Sequence, residues 1–243
     1  MKLIVSDLDG TLCARKGKSI GKREAAVINS VSESNCFAVA TGRSYPEVKK
    51  MLLEIKNYIS VCCDGALAVC GEKTVFEKPF PEEKLQIFKE CTDVVLYGKY
   101  MMYVKGTSGF IRKCRKQFYS HVTSFEDISE IDASIYKAVV YKQNNPGFIC
   151  AELKKIYDSF ELAEYVMPDA DKYYAVMSII ESLGITRDEC IVFGDGENDV
   201  LMLKEFKNSY AVSWAKPSVK ACARFISKDV VLTVKELFVE DKL

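Results

Sequence analysis

The sequence predicts an α/β protein whose parallel-sheet core is interrupted by a smaller inserted α+β segment. Near both ends of the chain, short apolar runs alternate with helical stretches, which is the pattern of strands joined by crossover helices. Between them, neighbouring strand-like runs rich in Val, Tyr and Met follow one another directly, as in an antiparallel sheet. At 243 residues the chain is long enough for two unequal lobes.

The amino-terminal part of the chain alternates buried strands with helices. Each predicted strand is a short apolar run that ends in a turn of small or polar residues. Pro46 stands near the start of the second helix, where a missing N–H costs least. In chain order we predict a strand over 2–6, a helix over 19–32, a strand from 37, a helix over 45–56 and a strand from 61.

The middle of the chain differs from both ends. In order, we predict there a helix over 82–91, two strands within 94–104, a helix over 108–119, a strand over 135–142, a helix over 147–160 and a strand over 161–167. The first pattern then returns, with a helix over 172–183, a strand over 190–193, a helix over 200–206, a strand over 210–213 and a helix from Pro217. We therefore predict a discontinuous α/β core domain of residues 1–74 and 168–243, with a second domain of residues 75–167 inserted.

Composition narrows the classes of function. The 34 basic and 34 acidic residues balance, so no net field draws the chain to nucleic acid or to an anionic membrane. Ten scattered cysteines without C-x-x-C spacing, and a first apolar run too short for a signal peptide or membrane span, predict a cytoplasmic protein. One histidine and no paired cysteines argue against zinc with its usual ligands, which leaves oxygen ligands for any metal.

Polar clusters fall where the predicted parallel strands end, and ligands bind at that edge of such sheets. These clusters are Asp7 and Asp9, Thr41 to Arg43, Lys172 at the return from the insertion, and Asp195 to Asp199. Two carboxylates one residue apart, as in Asp7 and Asp9, are unfavourable without a cation or a shared proton. Because Mg²⁺ prefers oxygen ligands, carboxylates converging from separate strand ends predict a magnesium site.

Two other interpretations of these motifs fail on spacing. D7-L-D-G begins like a calcium-binding EF-hand loop, but the sixth position would be Leu12 instead of glycine and the twelfth Lys18 instead of glutamate. A dinucleotide-binding fingerprint at Gly194 fails because Asp199 stands where its third glycine should be.

Four motifs, D7-L-D-G-T, T41-G-R, Lys172 and G194-D-G-E-N-D, resemble in this order those of the haloacid dehalogenase-like phosphatase superfamily. The position and size of the insertion are similar to the Cof-type branch, which has an α/β type-two (IIB) cap. This resemblance implies a Rossmann-like core domain with an inserted cap domain. It also implies Mg²⁺-dependent hydrolysis of small phosphorylated metabolites, sugar phosphates being favoured, through an aspartyl-phosphate intermediate.

The resemblance further implies a role for each matching residue. Asp7 would be the nucleophile, and Asp9 would act as acid and then as base. Thr41 and Lys172 would bind the phosphoryl group and neutralise its charge. The implied metal ligands are Asp7, Asp9 through its main-chain carbonyl, Asp195 and Asp199. The implied substrate contacts are Leu8 and Gly10 through their main-chain N–H groups, with Gly42, Arg43 and Asn198. From the residues alone, Arg43 could equally be a surface residue, and Thr41 could serve only the turn.

The chain departs from the family pattern at three places. D64-G-A replaces the Asn-Gly-Ala of many relatives, Tyr173 stands where glycine usually follows the lysine, and the tail from Ile226 lacks a polar, glycine-containing turn. No catalytic group is removed, so these departures bear on substrate choice.

Two rival functions remain at this point. A phosphomutase similar to phosphomannomutase shares the chain length and cap type, although its fourth motif usually differs from G-D-G-E-N-D. A phospho-acceptor or metal-binding regulator that resembles receiver domains would also gather aspartates, a threonine and a lysine around Mg²⁺. Such domains are about half this length and lack a second carboxylate placed as acid and base.

Overall fold

Two β-sheets organise the protein in the computed structural model, which describes residues 1–13 and 18–238. The amino-terminal elements are β1 (Leu3–Ser6), α1 (Lys22–Val31), β2 (Cys36–Ala40), α2 (Tyr45–Met51), β3 (Ile59–Cys62), β4 (Leu67–Cys70) and β5 (Lys73–Glu77). The middle elements are α3 (Glu82–Leu85), β6 (Val94–Gly98), β7 (Met102–Lys105), α4 (Gly109–Gln117), β8 (Val122–Ser124), β9 (Ile135–Tyr141), β10 (Lys154–Asp158) and β11 (Leu162–Val166). The carboxy-terminal elements are α5 (Lys172–Leu183), β12 (Cys190–Gly194), α6 (Val200–Glu205), β13 (Asn208–Val212), α7 (Pro217–Lys220), β14 (Phe225–Ser227) and α8 (Val230–Phe238).

The larger sheet has eight strands in the order β14-β13-β12-β1-β2-β3-β4-β5. The strands from β14 to β3 are parallel, and β4 and β5 extend the sheet as an antiparallel hairpin. Val5 of β1 pairs with Val192 on one side and Ala38 on the other. The carboxyl ends of β1, β2 and β12 therefore lie side by side at one edge of the sheet, as the sequence predicts.

Helix α5 brings the chain back to this edge. The Asp171 carboxylate caps the helix by accepting a hydrogen bond from the Tyr173 N–H at 3.0 Å, and the helix ends at Gly184 with φ of +65°. Its buried face against the sheet repeats at helical spacing and consists of Ala175, Val176, Ile179 and Ile180. The helix predicted over 172–183 is confirmed.

The smaller sheet has six strands in the order β10-β11-β9-β6-β7-β8, all antiparallel except the parallel pair β7 and β8. Alternation along β6 places Val94 and Leu96 in one apolar cluster and Val95 in another. Helix α4 packs Ile111 and Cys114 into the second cluster. The inserted segment thus has apolar side chains packed on both faces of its sheet, as expected for an α+β lobe.

Several local predictions are wrong. Residues 154–158 form the edge strand β10, not part of a helix over 147–160, because β10 pairs with β11. The apolar residues of this stretch do not share a buried face, since Ile149 is 86% exposed while Leu153 is buried. The helix from Pro217 is only the short α7, and β14 and α8 follow it.

Strand β5 spans the predicted domain border between residues 74 and 75, and it pairs with β4 in the larger sheet. The division of the chain into two domains stays a prediction. Within the described ranges, none of the helices has the length and apolarity that a membrane span requires.

Candidate active site

The carboxyl ends of β1, β2 and β12 line a cavity of about 750 Å³. Residues predicted for the site that line it are Asp7, Asp9, Thr41, Gly42, Arg43, Asp195 and Asn198. Lys172 and Asp199 lie fully buried next to Asp7, while Leu8 is buried in the apolar core of the larger sheet. The structure therefore gathers the predicted polar residues into one place. The Leu8 side chain serves packing, and the substrate contact predicted for its main-chain N–H stays a prediction.

The turn after β1 is shaped by Gly10. Its φ is +94°, and a Cβ at this position would lie 2.4 Å from Asp195 Oδ2, so only glycine allows this approach of the two loops. The Gly10 N–H donates to the Cys13 carbonyl at 2.8 Å, which corrects the prediction that it binds a phosphate. The Gly10 carbonyl accepts a hydrogen bond from Trp214 Nε1 at 2.8 Å.

Lys172, the first residue of α5, lies beneath the cavity. Its Nζ donates to Asp7 Oδ1 and to Asp199 Oδ1, each at 2.7 Å. Burial alone would lower the pKa of Lys172, but the Asp199 and Asp7 carboxylates outweigh burial and raise it. A cation at a helix amino terminus is unfavourable beside the positive end of the helix dipole. The neighbouring Asp7 and Asp199 carboxylates offset this cost for Lys172.

Asp199 organises the loop after β12. Its Oδ2 accepts hydrogen bonds from the main-chain N–H of Asp195 at 3.0 Å and of Gly196 at 2.9 Å. Asp195 in turn accepts a hydrogen bond on Oδ1 from Thr11 Oγ1 at 2.9 Å. These contacts hold the Asp195 carboxylate beside the Asp7 carboxylate, and they give Asp199 a supporting position.

Three carboxylates at the base of the cavity fit a divalent cation. One oxygen each from Asp7, Asp195 and Asp199 lie within 4.8 Å of one another, and the single Lys172 ammonium leaves an excess of two negative charges when all three are ionised. Burial raises the pKa of the Asp7 carboxyl, Lys172 lowers it, and Asp199 and Asp195 raise it further. Burial also raises the pKa of Asp195. An oxygen-only donor set with this excess charge suits Mg²⁺.

Mg²⁺ is therefore expected to stabilise the fold. At about 100 times its Kd the gain is about 2.7 kcal/mol, which raises Tm by about 5–10 °C for a chain of this size. The rise should be larger at pH 8 than at pH 5.5, because the raised pKa of Asp7 keeps a proton on that carboxyl at low pH and the metal must displace it.

Thermal unfolding with and without Mg²⁺ at the two pH values measures this effect. Asp195→Asn should abolish the Tm rise, whereas Asp158→Asn, a control in the inserted sheet, should keep it. An equal rise in both variants would contradict a metal site at Asp195.

The predicted acid and base, Asp9, is held by Arg43. The guanidinium donates through Nε to Asp9 Oδ2 and through its NH2 group to Asp9 Oδ1 at 2.8 Å. Its third contact is to Glu47 Oε1 at 3.0 Å. Arg43 is therefore part of the site and not a free surface residue. A paired carboxylate is poorly placed to give a proton to a leaving group, so the acid role requires this ion pair to open.

The loops after β2 and β3 are joined by hydrogen bonds. Thr41 is buried, its carbonyl accepts from the Asp64 N–H at 3.0 Å, and its hydroxyl accepts from the Arg43 N–H at 3.3 Å. Asn198 donates to Asp64 Oδ1 at 2.8 Å. Tyr173, which stands in place of the usual glycine, packs its ring against Phe206 and does not line the cavity.

Some cavity residues escape the sequence analysis. Lys137 and Glu164 project from β9 and β11 of the smaller sheet into the cavity. One signal is present in the sequence, because Lys137 interrupts the apolar run of β9 and a charge in such a run needs a partner. Glu47 stands one helical turn after Arg43, which is also a readable spacing.

Comparison with known proteins agrees with this geometry. The chain matches the model of the haloacid dehalogenase-like hydrolase family over residues 4–231, and it belongs to that family. It is 24% identical over 246 residues to the 5-amino-6-(5-phospho-D-ribitylamino)uracil phosphatase YbjI of Escherichia coli strain K12, an alignment that covers 93% of this chain and 90% of that protein.

Solved structures show the same fold. A haloacid dehalogenase-like hydrolase from Bacteroides thetaiotaomicron superposes with a TM-score of 0.82 at 20% identity, covering 98% of this chain and 99% of the other. The HAD subclass IIB sugar phosphatase BT4131 superposes with a TM-score of 0.74 at 18% identity over the same shares. The predicted family, α/β fold class and hydrolase class are confirmed.

Proposed function

We propose that this protein is a cytoplasmic, Mg²⁺-dependent phosphatase of small phosphorylated metabolites, with sugar phosphates as the preferred class. The observation that supports it best is the buried Lys172 ammonium between Asp7 and Asp199, directly beneath a cavity that Asp7 and Asp195 line. The names of the phosphatase relative and of the sugar phosphatase with this fold point the same way.

Asp7 is the proposed nucleophile. One carboxylate oxygen is engaged by Lys172, which leaves the other to attack phosphorus and form an aspartyl phosphate. Lys172 and Thr41 bind the phosphoryl oxygens, whose charge grows in the transition state. Mg²⁺, when held by Asp7, the Asp9 carbonyl and Asp195, would supply charge neutralisation, with Asp199 supporting Asp195 through the loop contacts.

Asp9 is the proposed acid and base. After release from Arg43 it protonates the leaving alcohol, and it then takes a proton from the water that hydrolyses the aspartyl phosphate. Once the ion pair with Asp9 opens, the Arg43 guanidinium becomes available to an anionic substrate. Its contact with Glu47 keeps it near the cavity.

The inserted segment is the proposed cap. Its sheet presents Tyr97, Ile156, Tyr157, Leu162 and Glu164 to the cavity, so the organic part of the substrate would meet two aromatic rings, two aliphatic side chains and a carboxylate. A surface with this mixture suits a polyol with several hydroxyl groups. Covering the site would also exclude bulk water during phosphoryl transfer.

A panel of sugar phosphates, nucleotides and phosphorylated vitamins, assayed with and without Mg²⁺, tests the function. Inorganic phosphate released in step with substrate loss supports a phosphatase. Isomerised sugar phosphate without phosphate release would instead establish a phosphomutase, and no turnover of any compound would favour a regulatory phospho-acceptor.

Asp9→Asn is expected to lower kcat by about 10²–10⁴-fold, because the amide neither protonates the leaving group nor activates water. Metal binding should be largely kept, since the proposed ligand from this residue is its main-chain carbonyl. Phosphate release and the Mg²⁺-dependent Tm rise, measured on one preparation, separate the two effects. Unchanged hydrolysis would remove Asp9 from the acid and base role.

A further inference from the structure

Lys137 occupies an unusual position in the inserted sheet. It lies in the middle of β9, and its side chain is only 5% exposed. All three ammonium hydrogens have an acceptor nearby, namely the Gly42 carbonyl at 3.0 Å, Asp64 Oδ2 at 2.9 Å and Glu164 Oε2 at 2.5 Å. A lysine this buried needs such partners.

These contacts join the smaller sheet to loops of the larger one. Gly42 lies in the loop after β2 and Asp64 in the loop after β3, whereas Glu164 is on β11 beside Lys137. Asp64 also accepts the hydrogen bond from Asn198, so it links Lys137 to the loop after β12. One lysine of the inserted segment is thereby connected to three loops that line the cavity.

The loop that Lys137 contacts has little freedom. A Cβ on Gly42 would lie 2.8 Å from Asp64 Oδ2, so the two loops touch directly. Cys63 and Asp64 both adopt left-handed backbone conformations, with φ of +52° and +56°. Such conformations in residues other than glycine persist when surrounding contacts impose them, and the bonds from Lys137 and Asn198 to the Asp64 carboxylate are two such contacts.

The contact between Lys137 and Asp64 is ionic. Burial would raise the pKa of the Asp64 carboxyl, but the Lys137 and Lys172 ammonium groups, together with the hydrogen bond from Asn198, lower it. Burial would likewise lower the pKa of Lys137, and Asp64 and Glu164 raise it. Asparagine at position 64 would keep a hydrogen-bond acceptor and remove this charge.

We propose that Lys137 is a positioning residue that fixes the loop of Thr41, Gly42 and Arg43. The position of the inserted segment thereby controls the geometry of the phosphate site. The effect on turnover rests on the proposed function, whereas the effect on the loop does not. Lys137 acts through the Gly42 carbonyl and through Asp64, and the ion pair makes this coupling stronger than an amide at position 64 would allow.

A second ion pair between the same two parts of the protein provides the control. Lys154 of β10 lies 2.9 Å from Asp171, the residue before α5, and neither lines the cavity. The Lys154 side chain is 38% exposed. Lys154→Met therefore removes a tether between the inserted segment and the core without touching the loop at Gly42.

The experiment compares Lys137→Met with Lys154→Met in the full chain. We expect Lys137→Met to lower kcat/KM by about 100-fold, because a small displacement of a binding loop has that effect. It should also raise the Ki of inorganic phosphate about tenfold. Partial unfolding lowers the concentration of active enzyme but leaves Ki unchanged, so Ki distinguishes positioning from stability. Lys154→Met should change both constants by no more than about twofold.

Two further variants protect the test against misfolding. Lys137→Met leaves the Asp64 and Glu164 carboxylates without their ammonium partner. The double variant Lys137→Met with Asp64→Asn removes one of these two unpaired charges. Asp64→Asn alone should have a smaller effect than Lys137→Met on both kcat/KM and Ki, since the acceptor remains.

Hydrogen exchange separates this inference from the proposed function. Amides of residues 41–43 and 63–65 should exchange faster in Lys137→Met than in Lys154→Met, whether or not the wild type hydrolyses any phosphate ester. Equal exchange and equal kinetic constants in the two variants would overturn the inference. Absence of turnover in the wild type, with faster exchange in Lys137→Met, would overturn the proposed function and leave the positioning role supported.

Discussion

Asp7→Asn is expected to abolish turnover, with a fall in kcat of at least about 10⁴-fold, because an amide is a poor nucleophile and no covalent intermediate can form. The substitution keeps the size of the side chain and an oxygen acceptor for Lys172. Phosphate release at high enzyme concentration measures the residual rate. Asp158→Asn, which removes an exposed carboxylate of the inserted sheet, should keep full activity. A residual rate above about 1% would exclude Asp7 as the nucleophile.

The same variant should be more stable than the wild type in the absence of metal at pH 8. The pKa of Asp7 is raised in the folded state above its ordinary value of 3.8, chiefly by burial. A carboxyl of this kind favours folding at low pH, and that contribution is lost as the pH rises through the folded pKa. The gain in Tm for Asp7→Asn should therefore be seen at pH 8 and vanish near pH 4. A gain that is independent of pH would contradict this explanation.

Lys172→Met is expected to lower both turnover and stability. The Lys172 side chain is fully buried, and its loss leaves two buried carboxylates, Asp7 and Asp199, without their ammonium partner. Removing one member of a buried ionic group costs about 3–5 kcal/mol, which lowers Tm by about 6–20 °C at this chain length. Activity should fall below detection, because the charge proposed to neutralise the phosphoryl group is gone.

Urea unfolding in metal-free buffer measures this loss, with Lys207→Met as the control. Lys207 forms an exposed ion pair with Asp188, and its side chain is 74% exposed, so its loss should cost less than about 1 kcal/mol. Mg²⁺ should restore part of the stability of Lys172→Met, because a cation beside Asp7 again offsets the excess charge. Equal losses in the two lysine variants would contradict the structural role of Lys172.

The core of the site could be predicted because parallel-sheet topology is readable from local patterns. Asp7, Thr41 and Asp195 each follow an apolar run, and adjacent parallel strands bring their carboxyl ends together whatever the details of packing. Lys172 lies at the start of a helix with clear cap residues, Asp171 and Gly184, so its place in the fold could also be predicted from the sequence. Its pairing with Asp199 depends on tertiary distances that spacing alone does not determine.

The inserted segment was harder to predict, for two physical reasons. Strand β10 is held by pairing with β11, which is a tertiary interaction, and its own residues do not alternate clearly between buried and exposed. The role of Lys137 depends on Gly42, which is 95 residues away, so no local pattern identifies its partner. The Arg43 contact with Asp9 likewise depends on the side-chain rotamers of both residues, which sequence motifs do not specify.

Trp214 is the only tryptophan of the chain, and its indole N–H is hydrogen-bonded to the carbonyl of Gly10 in the turn that follows Asp7. Indole emission depends on hydrogen bonding and local polarity, and the Trp214 side chain is half exposed. The unlabelled protein therefore carries a single indole fluorophore, hydrogen-bonded to the turn beside the proposed nucleophile Asp7. Stopped-flow emission could follow the movement of that turn during a reaction cycle without interference from a second indole.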